Sequence, residues 1–126
     1  MTKKVSQTHH PDASVISLQS QADVDAASVM ARELCGLVGV RNYAAQTIVS
    51  TVGELATKVH GSDGGQLTLR VDPDSSRLII TATVSGPDGS QGELRGLAKL
   101  AHRVECDSDG DQHHLVASFD YERLRQ

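Results

Sequence analysis

Two stretches with helical periodicity follow each other directly, and this pairing constrains the fold more than any other feature of the sequence. Apolar residues recur at spacings of three and four, first in residues 23–38 and again in residues 45–59. Each stretch therefore predicts a helix with one apolar face. Asp23 or Ser20 is predicted to cap the first helix, Gly39 to end it and Asn42 to cap the second. The two faces consist of Val24, Ala27, Ala31, Leu34 and Val38, and of Ala45, Ile48, Val52, Leu55 and Val59.

Segments with alternating apolar and polar residues surround the helical pair and predict strands. One further segment, from Gln91 or Gly92 to Arg103, has helical spacing. The resulting order, β-α-α-β-β-α-β-β, predicts an α+β two-layer sandwich, in which a mixed, mostly antiparallel sheet of about five strands carries three helices on one face. The predicted strands are residues 14–20, 66–71, 77–84, 103–106 and 113–120, with turns at 61–65, 72–74 and 107–111.

The length of 126 residues is that of one ordinary domain, which we place at residues 14–126. Residues 1–13 are polar, include His9 and His10, and predict a flexible tail. The hydrophobic fraction of 38% is sufficient for a folded core. That core is predicted to be aliphatic, because the aromatic residues are only Tyr43, Phe119 and Tyr121.

Charge and composition argue against several classes of function. The net charge is −4, and the chain has neither a basic stripe nor an aromatic platform, which argues against a nucleic-acid partner. There is no apolar run of the roughly 20 residues that span a bilayer, and the N-terminus lacks the apolar segment of a signal peptide. Cys35 and Cys106 form no CxxC pair, so two reduced thiols and a cytoplasmic location are predicted.

Residues 23–59 resemble the first two helices of the RsbT/RsbW-type anti-sigma and switch serine/threonine kinases, which have the GHKL ATP-binding fold. Residues 92–105 are similar to the family's helix after the ATP lid, and the element order also agrees, so that the resemblance covers residues 14–120. It implies the same fold and a role in partner switching. The residues that carry it in the helical pair are Ala31-Arg32, Leu34, Gly39 and Glu54-Leu55-Ala56.

The resemblance implies two site residues on the second helix, a general base and a Mg²⁺ ligand, and only the first is present here. Glu54 matches the glutamate that the resemblance implies to be the general base. Lys58 occupies the position of the asparagine that holds Mg²⁺, and an ammonium group cannot ligate a cation. The spacing of Glu54 and Lys58 also favours a salt bridge on the helix, which would occupy the carboxylate. Glu54 is therefore interpreted as a vestigial general base.

The rest of the family's nucleotide site is altered as well. Alignment on Gly86 puts Val84 at the aspartate implied to bind adenine, and Asp88 at the second glycine of that motif. The stretch from Gly89 to Leu94 is too short to contain the glycine-rich lid. The metal ligand, the adenine contact and the phosphate-binding loop are thus all changed. The sequence therefore predicts a pseudokinase that binds no cofactor; Mg-ATP would bind only if the site has been rebuilt.

Histidines and carboxylates elsewhere in the chain do not have the spacing of metal ligands. Alternation along a strand sends His113 and His114 to opposite faces, and His60 and His102 stand at no ligand spacing. The acidic turn Asp107–Asp111 resembles the opening of a calcium loop, but its twelfth position is Ser118 rather than glutamate. No metal site is predicted.

The sequence therefore predicts a regulatory protein of a bacterial partner-switching system of the stress-response type, which acts by protein–protein binding. The resemblance implies a STAS-domain antagonist, a sigma factor or another switch regulator as the partner. One alternative is an active serine/threonine kinase that phosphorylates a STAS-domain antagonist; another is a structural subunit that forms a homodimer. The candidate partner-binding residues are Arg32, Arg41, Lys58 and Arg95.

Overall fold

The structure is a computed structural model that describes residues 14–61, 65–85 and 94–125. The predicted tail, the centre of the 61–65 turn, and Gly86 and Asp88 lie outside these ranges. Short helical turns are present at residues 94–97 and at Tyr121–Leu124. The longer elements are β1 (Ser14–Ser17), α1 (Gln21–Leu37), α2 (Asn42–His60), β2 (Gln66–Asp72), β3 (Arg77–Ser85), β4 (Arg103–Asp109) and β5 (Gln112–Asp120).

The five strands form one sheet in the order β1-β2-β3-β5-β4, and each of its four pairings is antiparallel. The α+β class and the five-stranded sheet are thus confirmed. Two pairings, β2 with β3 and β4 with β5, join strands that a short turn connects in the chain. The β1–β2 pairing instead spans both long helices, which places α1 and α2 together over the sheet.

One face of the sheet forms the core with the helices. Alternate residues of β2, β3 and β5 are buried, as expected for strands with one face against helices. Most of the core side chains are aliphatic, and burying one fully contributes about 1.5–3 kcal/mol. The fully buried strand residues that face the helices include Leu67, Leu69, Leu78, Ile80, Leu115 and Ala117, and those of the helices include Ala27, Ala31, Ile48, Val52 and Leu55.

Both residues predicted as caps of α1 act together at its N-terminus. The Ser20 hydroxyl accepts the backbone N–H of Asp23 at 3.3 Å, and the Asp23 carboxylate accepts the backbone N–H of Ser20 at 3.1 Å. This reciprocal arrangement is a capping box, which satisfies two otherwise unpaired donors. The helix accordingly begins at Gln21, two residues before the predicted start.

Gly39 ends α1 as predicted, with a positive φ of 79°. The N–H of Gly39 donates to the carbonyl of Gly36 at 3.3 Å, and that of Val40 to the carbonyl of Cys35 at 2.9 Å. These two bonds form a Schellman motif, in which a left-handed glycine stops the helix. The following residue, Val40, is 2% exposed and carries the chain into the core.

The predicted N-cap of α2 is wrong. Arg41 is the N-cap, and its side chain makes no capping hydrogen bond. Asn42 has a φ of 57°, in the left-handed region, which asparagine tolerates better than most residues. The short connection after Gly39 requires this reversal of the backbone, and the conformation prevents Asn42 from capping in the extended geometry.

The third predicted helix ends earlier than expected. Among the described residues of this segment, helical geometry is present at 94–97 and has ended by residue 98, and β4 already begins at Arg103. Leu94 and Ala98 are fully buried, whereas Leu100 is 60% exposed. The apolar spacing therefore continues beyond the helical turn, because the chain must turn through residues 98–102 to pair with β5.

The acidic turn predicted at residues 107–111 is also narrower. Asp107, Ser108 and Asp109 continue β4, and only Gly110 and Asp111 form the loop to β5. Gly110 has a φ of 64° at the first loop position, where a two-residue hairpin loop favours glycine. Pairing of Asp109 with Gln112 closes the hairpin, so the carboxylates are distributed along a strand rather than gathered in a loop.

Candidate functional site

A groove of about 1000 Å³ runs between α1, α2 and the helical turn at residues 94–97, and we call it the α1–α2 groove. The two helices approach closely along it: a Cβ atom added to Gly53 of α2 would lie 3.3 Å from the Ser28 hydroxyl of α1. The groove is lined by Gln21, Val24, Asp25, Ser28 and Arg32 of α1, by Val49, Ser50, Gly53, Glu54, Thr57 and Lys58 of α2, and by Gly96 and Leu97.

Three residues predicted from the sequence meet in this groove. Glu54 and Lys58 stand one turn apart on α2, and Arg32 faces them from α1. Glu54 and Arg32 are exposed, whereas Lys58 is half-buried. The groove thus presents two cations, Arg32 and Lys58, and two carboxylates, Asp25 and Glu54, beside apolar side chains. The salt bridge between Glu54 and Lys58 stays a prediction.

The other predicted residues lie elsewhere. Val84 is fully buried on the helix-facing side of β3, opposite His113 of β5. Arg41 is at the first turn of α2, and the 13 residues to Glu54 correspond to about 20 Å along a helix. Arg95 is exposed in the helical turn, next to the groove-lining Gly96.

The connection from β3 to the helical turn is short. β3 ends at Ser85, and Leu94 is the first residue of the helical turn that the structure describes, so that eight residues, 86–93, separate these two described positions. Any lid of the kind found in the resembling kinases would have to be built from these eight residues.

The adjacent histidines of β5 point to opposite faces of the sheet, as strand alternation predicted. His113 is 1% exposed on the helix-facing side, and its Nδ1 lies 2.8 Å from the hydroxyl of Ser108. His114 is on the other face, where its Nδ1 lies 3.1 Å from the hydroxyl of Thr83. The pairing of His113 with Ser108 was missed from the sequence, because Ser108 was assigned to a turn rather than to β4.

Within residues 14–61, 65–85 and 94–125, histidine, cysteine and acidic side chains nowhere gather in a group of three that could hold a metal ion. None of the helices described is both long and apolar enough to cross a bilayer.

Sequence comparisons find no match: neither a protein-family model nor a curated protein matches the chain. Structural comparison does find similar solved chains. One is the crystal structure of the RsbU and RsbW domains of Rv1364c from Mycobacterium tuberculosis, with a TM-score of 0.63 and 9% identity. The match covers 85% of this chain and 32% of that one, so the chain spans about a third of the length of that neighbour. The comparison establishes a common fold, an antiparallel α+β sandwich of the RsbW type.

Proposed function

We propose that this protein is a regulator of a bacterial partner-switching system that binds another protein through the α1–α2 groove and performs no phosphoryl transfer. The observation that carries the proposal is the position of Lys58. Its side chain lines the groove one helical turn beyond Glu54, where the resembling kinases place a metal-binding asparagine. The structural neighbour from Mycobacterium tuberculosis, which consists of RsbU and RsbW domains, supports the same class of function.

Lys58 is unfavourable for the metal that phosphoryl transfer requires. Mg²⁺ takes oxygen ligands in octahedral geometry, and it neutralises the charge that develops on the phosphates. The ammonium group of Lys58 supplies no lone pair and adds a positive charge at that place. The carboxylate of Glu54 is therefore present, but the Mg²⁺ that would position a substrate beside it is disfavoured.

The surroundings of Val84 add a second argument. Its side chain is fully buried in the sheet and has no group that accepts a hydrogen bond from an adenine amino group. The eight-residue connection at 86–93 leaves little chain for a phosphate-covering lid. Metal, base and phosphate contacts are thus all weakened in this chain.

The groove retains the composition of a protein-binding surface. Val24, Val49 and Leu97 supply apolar area, and charged groups of both signs stand beside them. Interfaces of regulatory proteins combine an apolar centre with a polar rim in this way. We propose a STAS-domain antagonist, a sigma factor or another switch regulator as the partner, with Arg32 and Lys58 at the contact.

Calorimetry with ATP and Mg²⁺ tests the absence of a nucleotide site. We expect no heat of binding, and no rise in melting temperature, at millimolar nucleotide. A specific ligand stabilises the folded state by mass action, so that tight binding in either assay would overturn this part of the proposal.

Binding to STAS-domain proteins and sigma factors from the same host tests the interface. Arg32→Glu and Lys58→Glu should each weaken the complex, whereas Arg41→Glu, which makes the same charge change about 20 Å along the helix from Glu54, should not. An equal loss of affinity in all three variants would show that overall charge, rather than the groove, governs binding. Sedimentation of the same samples tests the homodimer alternative.

The kinase alternative is favoured by one observation, the exposure of the Glu54 carboxylate in the groove. It predicts transfer of labelled phosphate from ATP to a STAS-domain protein, and its loss in Glu54→Gln. Transfer that depends on Glu54 would replace the adaptor role with an enzymatic one.

A further inference from the structure

A small cavity lies on the opposite face of the sheet from the helices, where β3 begins and β5 ends. Its volume is about 250 Å³, and we call it the arginine cavity. The strand residues that line it alternate with the buried core residues, so they belong to the outer face. The complete lining consists of Arg77, His102, Arg103, Ser118, Asp120 and Arg123.

The arginine cavity carries more positive than negative charge. Three guanidinium groups line it against the single carboxylate of Asp120. That carboxylate is already engaged, since its Oδ1 accepts the backbone N–H groups of Glu122 at 3.1 Å and Arg123 at 3.3 Å. The lining residues therefore sum to a formal charge of +2 when His102 is neutral.

Two of the three guanidinium groups make no direct ion pair in the part of the chain that the structure describes. Arg103 lies 3.4 Å from Glu105, in a pair whose side chains are more than half exposed. The side chains of Arg77 and Arg123 make no hydrogen bond or ion pair with any described residue. Guanidinium groups that outnumber the carboxylates beside them repel each other, and an anion between them reduces that repulsion.

Ser118 supplies a second, independent observation. It is only 6% exposed, and its hydroxyl has no hydrogen-bond partner within residues 14–61, 65–85 and 94–125. It lines the arginine cavity and also an adjoining space of about 110 Å³. Buried hydroxyl groups are nearly always paired, so an unpaired one in a cavity wall indicates a polar occupant.

His102 offers a further donor beside these groups. Its Nδ1 accepts the backbone N–H of Asp120 at 2.8 Å. A neutral ring that accepts at Nδ1 carries its proton at Nε2, which is then free to donate.

We propose that the arginine cavity is a binding site for a phosphate group, either inorganic phosphate or a small phosphate monoester. Planar guanidinium groups match the geometry of phosphate oxygens and bind them with paired, charge-assisted hydrogen bonds. The cavity is smaller than the roughly 300–1000 Å³ of ordinary small-molecule sites, which suits one anionic group better than a large ligand. The site is separate from the α1–α2 groove and does not depend on the function proposed for it.

Titration with inorganic phosphate, followed by thermal unfolding and by NMR of the His102 ring, tests the site. We expect a saturable rise in melting temperature and a saturable shift of the His102 signals, beyond those of sodium chloride at equal ionic strength. Arg77→Gln and Arg123→Gln should each weaken phosphate binding by about ten- to a hundredfold, since a hydrogen bond to a charged group contributes about 1.5–3 kcal/mol.

Arg70→Gln is the matched control, because Arg70 is also on the outer face but does not line the cavity. It should bind phosphate like the wild type. Without phosphate, Arg77→Gln and Arg123→Gln should unfold at no lower temperature than the wild type, since each removes a repelling charge. Equal effects of phosphate and chloride, or equal weakening in all three variants, would overturn the proposal.

Two further ligands distinguish the sources of the phosphate group. Tighter binding of O-phosphoserine than of inorganic phosphate would identify a monoester as the preferred ligand, and equal binding would show that the phosphate group alone is recognised. Tighter binding of citrate or acetate than of either would contradict the phosphate assignment, since the cavity would then be a carboxylate site.

Discussion

The Nδ1 atom of His102 accepts the backbone N–H of Asp120 at 2.8 Å, and this bond ties the approach to β4 to the end of β5. The ring also meets Phe119 edge to face, with 5.9 Å between the ring centroids. Burial and the nearby charge of Arg123 lower the pKa of His102, while Asp120 acts in the opposite direction. Protonation at Nδ1 would remove the acceptor, so the folded state favours the neutral ring.

We therefore expect acid to weaken the fold through His102. Because folding lowers the pKa, this contribution is fully present above the unfolded value of 6.5 and is lost as the pH falls through the folded value. The free energy of unfolding, measured with urea, should fall less between pH 7.5 and pH 5.5 in His102→Asn than in the wild type. The difference will be modest because the ring is largely exposed to solvent. An identical decrease in both proteins would contradict the assignment.

The two cysteines should differ in reactivity. Cys35 is 1% exposed, and burial raises its pKa to about 11, with Arg32 opposing the shift. Cys106 is only half-buried. At pH 8 a thiol reagent should label Cys106 first and Cys35 only after denaturation, because the thiolate is the reactive form. Fast labelling that persists in Cys106→Ser would show that Cys35 is accessible.

The raised pKa of Cys35 also predicts a loss of stability in alkali. The unfolded thiol ionises near 9.0 and the folded one near 11, so the unfolded state loses its proton first. The free energy of unfolding should fall across this interval, and less so in Cys35→Ala. Equal slopes against pH in the two proteins would rule this out.

Gly65 is predicted to tolerate no side chain. A Cβ atom there would lie 2.3 Å from a methyl group of Val59 and 2.9 Å from the carbonyl oxygen of Thr83. Gly65→Ala should lower the free energy of unfolding by about 1–3 kcal/mol, since backbone must move to admit the methyl group. Gly36→Ala is the control: no atom lies within 4 Å of its Cβ, and alanine in α1 should stabilise by up to about 1 kcal/mol. Chemical denaturation of both variants measures the contrast.

The capping box of α1 should be measurable as a coupling between Ser20 and Asp23. Ser20→Ala should destabilise the protein by about 1 kcal/mol. Asp23→Ala should lower the free energy of unfolding by less in the Ser20→Ala background than in the wild type, because the reciprocal bond is then already lost. Ser50→Ala, at an exposed position of α2 in the lining of the α1–α2 groove, is the control and should change stability by less than about 0.5 kcal/mol. Strict additivity at Ser20 and Asp23 would argue against the box.

Lys58→Asn separates one defect of the nucleotide site from the others. The variant returns the amide that the resembling kinases use for Mg²⁺, yet Val84 and the short 86–93 connection are unchanged. We expect no heat of Mg-ATP binding by calorimetry. Binding in the variant but not in the wild type would mean that Lys58 alone closes the site.

The helical pair was predictable because its signals are local. Periodicity fixed the buried faces of α1 and α2, and the Gly39 stop follows from the conformational freedom of glycine in the left-handed region. The segment after Leu94 was not predictable in the same way. Its leucines have helical spacing, but the demand for β4–β5 pairing from Arg103 onward overrides local preference.

The candidate site residues also divide into those that local patterns bring together predictably and those that only strand pairing brings together. Arg32, Glu54 and Lys58 meet because they lie on the two helices whose packing the periodicity predicts. The arginine cavity could not be foreseen, since Arg77, Arg103 and Arg123 come from three separated segments. Only the strand register, which pairs Arg77 with Asp120 and Arg103 with Ser118, brings them to one place.

The long separation between β1 and β2 also bears on how the molecule opens. Residues 18–65 lie between these paired strands, whereas β2–β3 and β4–β5 are joined by tight turns. β1 has four residues at the edge of the sheet and a single neighbouring strand. We expect its amides to exchange with solvent sooner than those of β3 and β5, through local detachment that leaves the other four strands paired. Strand β1 can thus separate from β2 while the rest of the sheet keeps its hydrogen bonds.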